Sequence, residues 1–478
     1  MGLGLYEGGS GISTVKFLLN AGAKITVTDL KTKEQLKDQI KRLTDYCHRE
    51  RGRRPTVAIP SKNRKTRDSC LRRNDIRFVL GEHKEGDFKS ADLIIRNPGV
   101  PAKSKYLKIA KDNKIPIATD ISLFFQLCDR KRIIGITGTR GKSTTTTLIY
   151  ELLKTVDKNA VLGGNITQSP LAQMSQVKKG GPVVLELSSW MLEGLATIKK
   201  SPHIAVFTNI YPDHLNTYDG LADYIKAKTN IFKFQNPQDY LIISRDNPKT
   251  FLVAKQAPSQ RYWFSKKYFK EENGSFVRNN FIYFRRDGIE HKICSTKNIA
   301  LVGEHNLENV LAAVTVAMIF GVKLAAIKKI LKSFQGIPNR LELLREIGGV
   351  KYYNDTTSTT PEATFAGLKT LGKKKNIILI AGGTDKGLDF TELVKEINKT
   401  VKGLVLLKGT GTDRLKKYSI FNIKYFEVDS MADAVLTARK LAHHGDIILL
   451  SPACTSFGMF NNEFDRGNQF RNIVSKLK

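Results

Sequence analysis

Arg132-Ile133-Ile134-Gly135-Ile136-Thr137-Gly138-Thr139-Arg140-Gly141-Lys142-Ser143-Thr144 reads as a short apolar strand, a glycine-bracketed turn and the opening of a helix. A strand that hands a tight turn to a helix leaves backbone N–H groups and the positive helix end facing one point, which suits a phosphate. Lys142 adds a cation for the outer phosphates, and the Ser143 hydroxyl is of the type that ligates Mg2+. The loop is shorter than the common Gly-x-x-x-x-Gly-Lys pattern, because Gly138 lies three residues before Gly141 rather than five. A nucleotide is therefore expected on Gly138, Thr139, Arg140, Gly141, Lys142, Ser143 and Thr144, with ATP and Mg2+ as the matching cofactors. The threonines 144–147 continue the helix at some cost in propensity.

On either side of this loop, strand and helix patterns alternate, which argues for parallel sheets covered by helices on both faces. Upstream, glycines 2, 4, 8, 9 and 11, an apolar helix near Ser13–Leu19 and a strand Lys24–Asp29 closed by an acid outline a dinucleotide-binding unit. The strand that should precede Gly2 is missing, so the first sheet is expected to lack an inner strand, through a truncated start. Asn97-Pro98-Gly99 forms a turn at a strand's carboxyl end, where open α/β sheets place ligands. Downstream, strands at residues 182–187, 203–209 and 240–243, a strand-rich stretch at 261–295 and a helix at 306–320 complete a second unit. A third begins after Gly336-Ile337-Pro338, with strands at 351–354, 376–381, 403–407 and 446–450. The expected architecture is α/β in three domains: a Rossmann-like domain at 1–119, a central ATP-binding domain at 120–335 and a Rossmann-like C-terminal domain at 336–478.

Length and composition agree. A chain of 478 residues is too long for one core. With 41% hydrophobic and 26% charged residues it is globular in type, and no apolar run approaches the roughly 20 residues of a membrane-spanning helix. No secretory leader follows Met1, and the five cysteines are scattered, so a reducing cytoplasm is expected. Lys and Arg number 78 against 45 acids, a net +33. Residues 44–73 hold eight Arg and two Lys against three acids, two prolines and little apolar periodicity, and are expected to be a basic, mobile insertion.

Seven motifs in order carry a family resemblance: 136–144 above, Gly163-Gly164-Asn165-Ile166, Leu185-Glu186-Leu187-Ser188-Ser189, Asn209-Ile210-Tyr211-Pro212-Asp213-His214, Gly303-Glu304-His305-Asn306, Gly336-Ile337-Pro338-Asn339-Arg340 and Ser451-Pro452-Ala453-Cys454. The chain resembles the Mur ligases, which join an amino acid to a peptidoglycan precursor with ATP. The resemblance covers nearly the whole chain outside residues 44–73. It implies that Glu186 and His214 bind a second magnesium and that Lys228 is a carbamylated bridge between two metal sites. A carbamate needs a neutral amine, hence a lysine whose proton affinity is lowered. On residues alone, Lys228 is an ordinary helix lysine and His214 a turn residue, whereas a carboxylate ending the apolar strand at Glu186 already asks for a partner or a metal. The resemblance further implies Asn309 near the adenine, Arg340 toward phosphate and Asp355 toward ribose. For the UDP-sugar substrate it implies Leu5, Tyr6, Asp29, Leu30, Gly99, Asn165 and Ser188. For the amino acid it implies Thr359, Lys386, Ser456 and Phe457. A cationic Lys386 is what a second carboxylate requires. The chain departs from some members at Thr357, where others carry lysine, and at Glu463, where an aromatic is frequent and Phe464 stands beside it.

The resemblance implies amide ligation: a substrate carboxylate takes the γ-phosphate to form an acyl phosphate, and the amino acid's amine displaces phosphate, with closure of the third domain aligning the reactants. The implied substrates are UDP-N-acetylmuramoyl-L-alanine and D-glutamate, in a cytoplasmic monomer serving cell-wall synthesis and hence cell shape and division. Two alternatives stay open. One is another Mur-type or folylpolyglutamate-type ligase, the folate reading being disfavoured by the leading segment Leu3–Asp29. The other is a catalytically dead, basic nucleic-acid-binding relative, disfavoured by Lys142, Glu186 and His214.

Overall fold

The structure, a computed structural model, describes residues 1–3, 9–49, 76–97, 99–101, 103–166, 168–213, 217–301, 303–372, 374–385, 387–418 and 423–477. It is an α/β protein that divides into two compact units, residues 1–298 with 307–331, and residues 299–306 with 332–478.

The first unit holds the expected dinucleotide-like segment and the phosphate loop. Strand β1 (Ile25–Asp29) pairs in parallel with β2 (Ile76–Leu80), and β3 (Ile94–Ile95) with β4 (Ile117–Ala118). These are two separate ribbons, and residues 1–3 run between them. The Gly2 amide donates to Thr28 O at 2.9 Å, the Met1 amine to Ile95 O at 3.0 Å, and the Asn97 amide to Met1 O at 3.1 Å. The described residues 1–3 thus lie at the inner position, hydrogen-bonded to both ribbons. Leu3 is buried with Ile12, Val15, Leu19 and Val27, so the helix Ser10–Asn20 has a core of its own to rest on.

The expectation for residues 44–73 is corrected at its start. Thr44–Arg49 belongs to a helix, Lys37–Arg49. Gln39, Leu43 and Cys47 recur every fourth residue and are its buried stripe, a period masked in the sequence by the surrounding charge. Residues 50–75 lie outside the described residues.

The main sheet of this unit has nine strands in the order β13-β12-β11-β10-β9-β8-β5-β7-β6. They are β5 (Ile133–Thr137), β6 (Val161–Gly164), β7 (Val183–Glu186), β8 (Ile204–Phe207), β9 (Tyr240–Ser244), β10 (Gln260–Ser265), β11 (Gly274–Arg278), β12 (Phe281–Arg286) and β13 (Ile289–Ser295). All pairings from β6 through β11 are parallel, while β11, β12 and β13 form an antiparallel meander at one edge. The five residues of β5 are all buried, as a continuous apolar strand covered on both faces must be, and each of its isoleucines stabilises by about 1.5–3 kcal/mol. The helix Asp120–Leu127 stands where the first domain was expected to give way to the second. Ile121, Phe124 and Phe125 are fully buried in the same core as β5 and β7.

The second unit is a six-stranded sheet in the order β14-β15-β19-β16-β17-β18, from β14 (Glu342–Ile347), β15 (Val350–Asn354), β16 (Ile377–Gly382), β17 (Val401–Leu407), β18 (Lys424–Val428) and β19 (Ile447–Leu450). Only β14 is antiparallel. Separate apolar clusters cover its two faces, one around Leu379 and Leu406, the other around Ile378, Ile380 and Phe470. Parallel strands end together at one edge, so the loops after β15, β16 and β19 gather there.

Candidate functional site

The phosphate loop is fixed by two glycines that no other residue can replace. Gly138 has φ +149°, and a Cβ there would lie 1.9 Å from Thr208 Oγ1; Gly141 has φ +79°, and its Cβ would lie 2.2 Å from Asn309 Oδ1. The loop is tied down from β8. The Thr139 amide donates to Asn209 O at 3.0 Å, the Arg140 amide to Asn209 Oδ1 at 2.8 Å, and Thr208 Oγ1 donates to Arg140 O at 2.7 Å. The helix Lys142–Lys154 follows with no side-chain cap, and Ser143 is buried in its first turn. Of the threonines, Thr145 donates to Asn309 Oδ1 at 3.2 Å and Thr146 bonds back to Lys142 O at 2.7 Å. Asn309, expected near an adenine, thus stands against Gly141 and the first turn of this helix.

Two lysines converge on one carbonyl. Lys142 Nζ donates to Gly138 O at 3.0 Å and to Thr139 O at 2.9 Å, and Lys228 Nζ donates to Gly138 O at 2.8 Å. Lys228 is 2% exposed, and its ammonium lies 4.7 Å from the Tyr224 ring centre. Burial first, and the Lys142 charge second, push its proton affinity well below that of an ordinary lysine, against the pull of Asp213 and Glu186. The neutral amine that a carbamate requires is what this environment favours.

Glu186 ends β7 and is 2% exposed. Its Oε1 accepts from Asn165 Nδ2 at 3.0 Å, while Oε2 is buried without a hydrogen-bond partner. A buried carboxylate oxygen left open is costly, and a cation would satisfy it. The open Glu186 oxygen and the buried Ser143 hydroxyl are oxygen donors of the type a hard metal ion takes, although among the described residues no three His, Cys, Asp or Glu side chains cluster as ligands. His214 lies outside the described residues.

The positions expected to meet the UDP-sugar are mixed in role. Asp29 accepts the Leu3 amide at 2.7 Å on one oxygen and the Lys31 amide at 3.0 Å on the other, so it holds the turn it was expected to serve from within. Leu30 is 65% exposed. The Gly99 amide donates to Asn97 Oδ1, closing that turn. Ser188 caps the helix Ser189–Thr197 through the Met191 amide at 3.4 Å. Leu5 and Tyr6 lie outside the described residues.

In the second unit, Arg340 is exposed between Asn339 and Leu341, both at positive φ (68° and 43°). Asp355 is buried and already engaged: it accepts from Ser358 Oγ at 2.6 Å, Ser451 Oγ at 2.7 Å and the Leu341 amide at 3.1 Å. Burial, opposed by these bonds, pushes its carboxyl up to about 6. Expected toward ribose, Asp355 is the hub that ties residues 341, 358 and 451 together. Thr359 is half-buried, Ser456 is buried, and Phe457 is 58% exposed. Phe464 is also exposed, in the first turn of the helix Glu463–Lys476. Lys386 lies outside the described residues.

Two family descriptions match the chain, "Mur ligase middle domain" over residues 136–317 and "Mur ligase, glutamate ligase domain" over residues 339–454. The chain is 39% identical over 488 residues to the UDP-N-acetylmuramoylalanine--D-glutamate ligase of Roseiflexus sp. (strain RS-1), covering 100% of this chain and 98% of the relative. It is 37% identical over 485 residues to the ligase of the same name from Borreliella burgdorferi (strain ATCC 35210), covering 100% and 97%. The chain belongs to the Mur ligase family. Solved structures agree on the fold of this Mur ligase. The UDP-N-acetylmuramate-alanine ligase of Thermotoga maritima aligns with a TM-score of 0.55 at 19% identity over 84% of this chain and 89% of that one. A pseudomurein peptide ligase type C of Methanothermus fervidus aligns with 0.54 at 19% over 98% and 97%.

The sequence alone does not single out Tyr224, whose ring flanks Lys228 and whose hydroxyl lies 3.4 Å from Thr139 Oγ1, nor Arg466, buried under the loops after β15 and β19. Nothing in their local sequence separates them from surface residues of amphipathic helices.

Proposed function

We propose that this Mur ligase adds D-glutamate to UDP-N-acetylmuramoyl-L-alanine in peptidoglycan synthesis, with ATP consumed to ADP and phosphate. The names of the two full-length relatives support the substrates, and one observation carries the chemistry: two lysines on the Gly138 carbonyl beside the open oxygen of Glu186. In the reaction, the substrate's terminal carboxylate oxygen bonds to the γ-phosphorus as the bond to ADP breaks, the electron pair leaving with ADP. The D-glutamate amine then attacks the acyl carbon. The tetrahedral intermediate expels phosphate and the amine's proton is lost, leaving an amide.

For this, Lys142 leaves the loop carbonyls it occupies and moves with the phosphates, while the amides of the loop and of the helix behind it face the transferred group. Ser143 and Glu186 would hold Mg2+, with Lys228 as a carbamate formed when its neutral amine takes up carbon dioxide and releases a proton. The metal supplies neutralisation of phosphate charge when bound. Among the described residues no helix is long and apolar enough to cross a membrane. ATP and a nucleotide-linked sugar as substrates support a cytoplasmic site of action.

The assignment is tested by phosphate release from ATP with UDP-N-acetylmuramoyl-L-alanine and each of D-glutamate, L-glutamate, D-aspartate, L-lysine and meso-diaminopimelate. Release with D-glutamate alone is expected. Release with another amino acid and none with D-glutamate would reassign the chain within the family.

A further inference from the structure

The helix Glu463–Lys476 approaches β15 and the segment around Asn339 more closely than side chains normally allow. Gly467 makes this possible, since a Cβ there would lie 2.4 Å from Thr356 Cγ2 and 2.6 Å from Asn339 Oδ1. Its carbonyl accepts from Asn354 Nδ2 at 3.2 Å. The residue before it, Arg466, is 0% exposed and heads the fully buried side chains by size.

Every acceptor of this guanidinium is neutral. Nε donates to Thr356 Oγ1 at 3.0 Å, one terminal nitrogen to Thr356 O at 2.8 Å, and the other to Cys454 O at 3.3 Å. Thr356 Oγ1 in turn donates to Glu463 O at 2.9 Å. Among the described residues Arg466 is in no ion pair; burial lowers its proton affinity, and Cys454 first and Glu463 second act against that. Burying a cation without an ion-pair partner is costly, and well-packed apolar residues often hold a buried site as firmly as charged ones. Packing alone therefore does not account for the charge.

The guanidinium joins two particular loops. Thr356 stands three residues before Thr359, and Cys454 two before Ser456, so one side chain bridges both loops that the family resemblance assigns to the amino acid. We infer that Arg466 is a positioning residue for the incoming dicarboxylic amino acid: it sets the spacing of the 356–359 and 454–457 loops and holds a positive potential beneath them that a carboxylate ligand neutralises. The inference rests on the proposed function, which makes the incoming amino acid the dicarboxylate D-glutamate.

The test compares R466M, R466K and T356V with the full-length wild type in the phosphate-release assay, varying ATP, UDP-N-acetylmuramoyl-L-alanine and D-glutamate in turn. R466M should raise KM for D-glutamate by about tenfold or more, R466K by less, and T356V by about threefold, with the other two KM values within about twofold. An unchanged KM for D-glutamate, or an equal rise in all three, overturns the inference and leaves Arg466 a structural residue. If R466M does not fold, the same comparison is made on R466K and T356V. If the wild type uses a different amino acid, the proposed function fails and the KM comparison is made with that amino acid. If it uses none, thermal stabilisation by glutarate takes its place: stabilisation of the wild type that is lost in the variants supports the inference, and equal stabilisation or none overturns it.

Discussion

The phosphate loop of the first unit and the loop cluster of the second are built by opposite means. Residues 138–144 form one contiguous turn whose shape is set by backbone. Two glycines stand where a Cβ would collide, and just after β8 Asn209 accepts the Arg140 amide while the Thr208 hydroxyl donates to the Arg140 carbonyl. The cluster of the second unit is assembled from segments around residues 340, 356, 384 and 455, far apart in sequence. Buried side chains join them, Asp355 linking residues 341, 358 and 451 and Arg466 linking 356 and 454. A site of the first kind is robust to its surroundings and fragile to a change in its own few residues. One of the second kind can be retuned by residues outside the loops themselves.

The sharpest way to break this contrast is at Lys142. Lys142→Ala should lower turnover on the order of 10²-fold or more, because the cation acts where phosphate charge develops, with little change in thermal stability, since its bonds to Gly138 and Thr139 are partly exposed. Full activity in this variant, read by phosphate release, would remove the loop from the reaction.

A smaller effect sharpens the other side. The Asp355 carboxyl is pushed up to about 6 from 3.8 by burial. The folded state therefore holds its proton where the unfolded chain has lost it, and this group's contribution to stability falls as pH rises from about 4 to 6. Over that window the loss is about 3 kcal/mol. Asp355→Asn keeps an acceptor for the Leu341 amide and turns an NH2 toward Ser358 and Ser451, whose hydroxyls then accept, without a charge. Its denaturation midpoint should match the wild type below the unfolded value of 3.8 and exceed it at pH 7; a variant less stable at both would show that the ionised carboxylate holds the cluster together.

The contrast also explains what the sequence disclosed. The strand, turn and helix of residues 132–154 were legible because apolar run, glycine spacing and helix start lie within one window. Most strands of both large sheets were legible for the same reason. The antiparallel meander β11–β13 was readable as strand-rich but not in direction, which depends on pairing. The stripe Gln39, Leu43, Cys47 was hidden by charge. Among site residues, Glu186 announced itself as an acid closing an apolar strand, whereas Lys228 and Arg466 did so only through burial that the fold creates.

The central claim is that a substrate carboxylate takes the γ-phosphate before the amine arrives. It is tested most directly by labelling the alanine carboxylate of UDP-N-acetylmuramoyl-L-alanine with 18O and analysing the phosphate released during turnover with D-glutamate. One labelled oxygen transferred to phosphate in each turnover is the predicted result. Phosphate free of label, with the amide product formed, would contradict it.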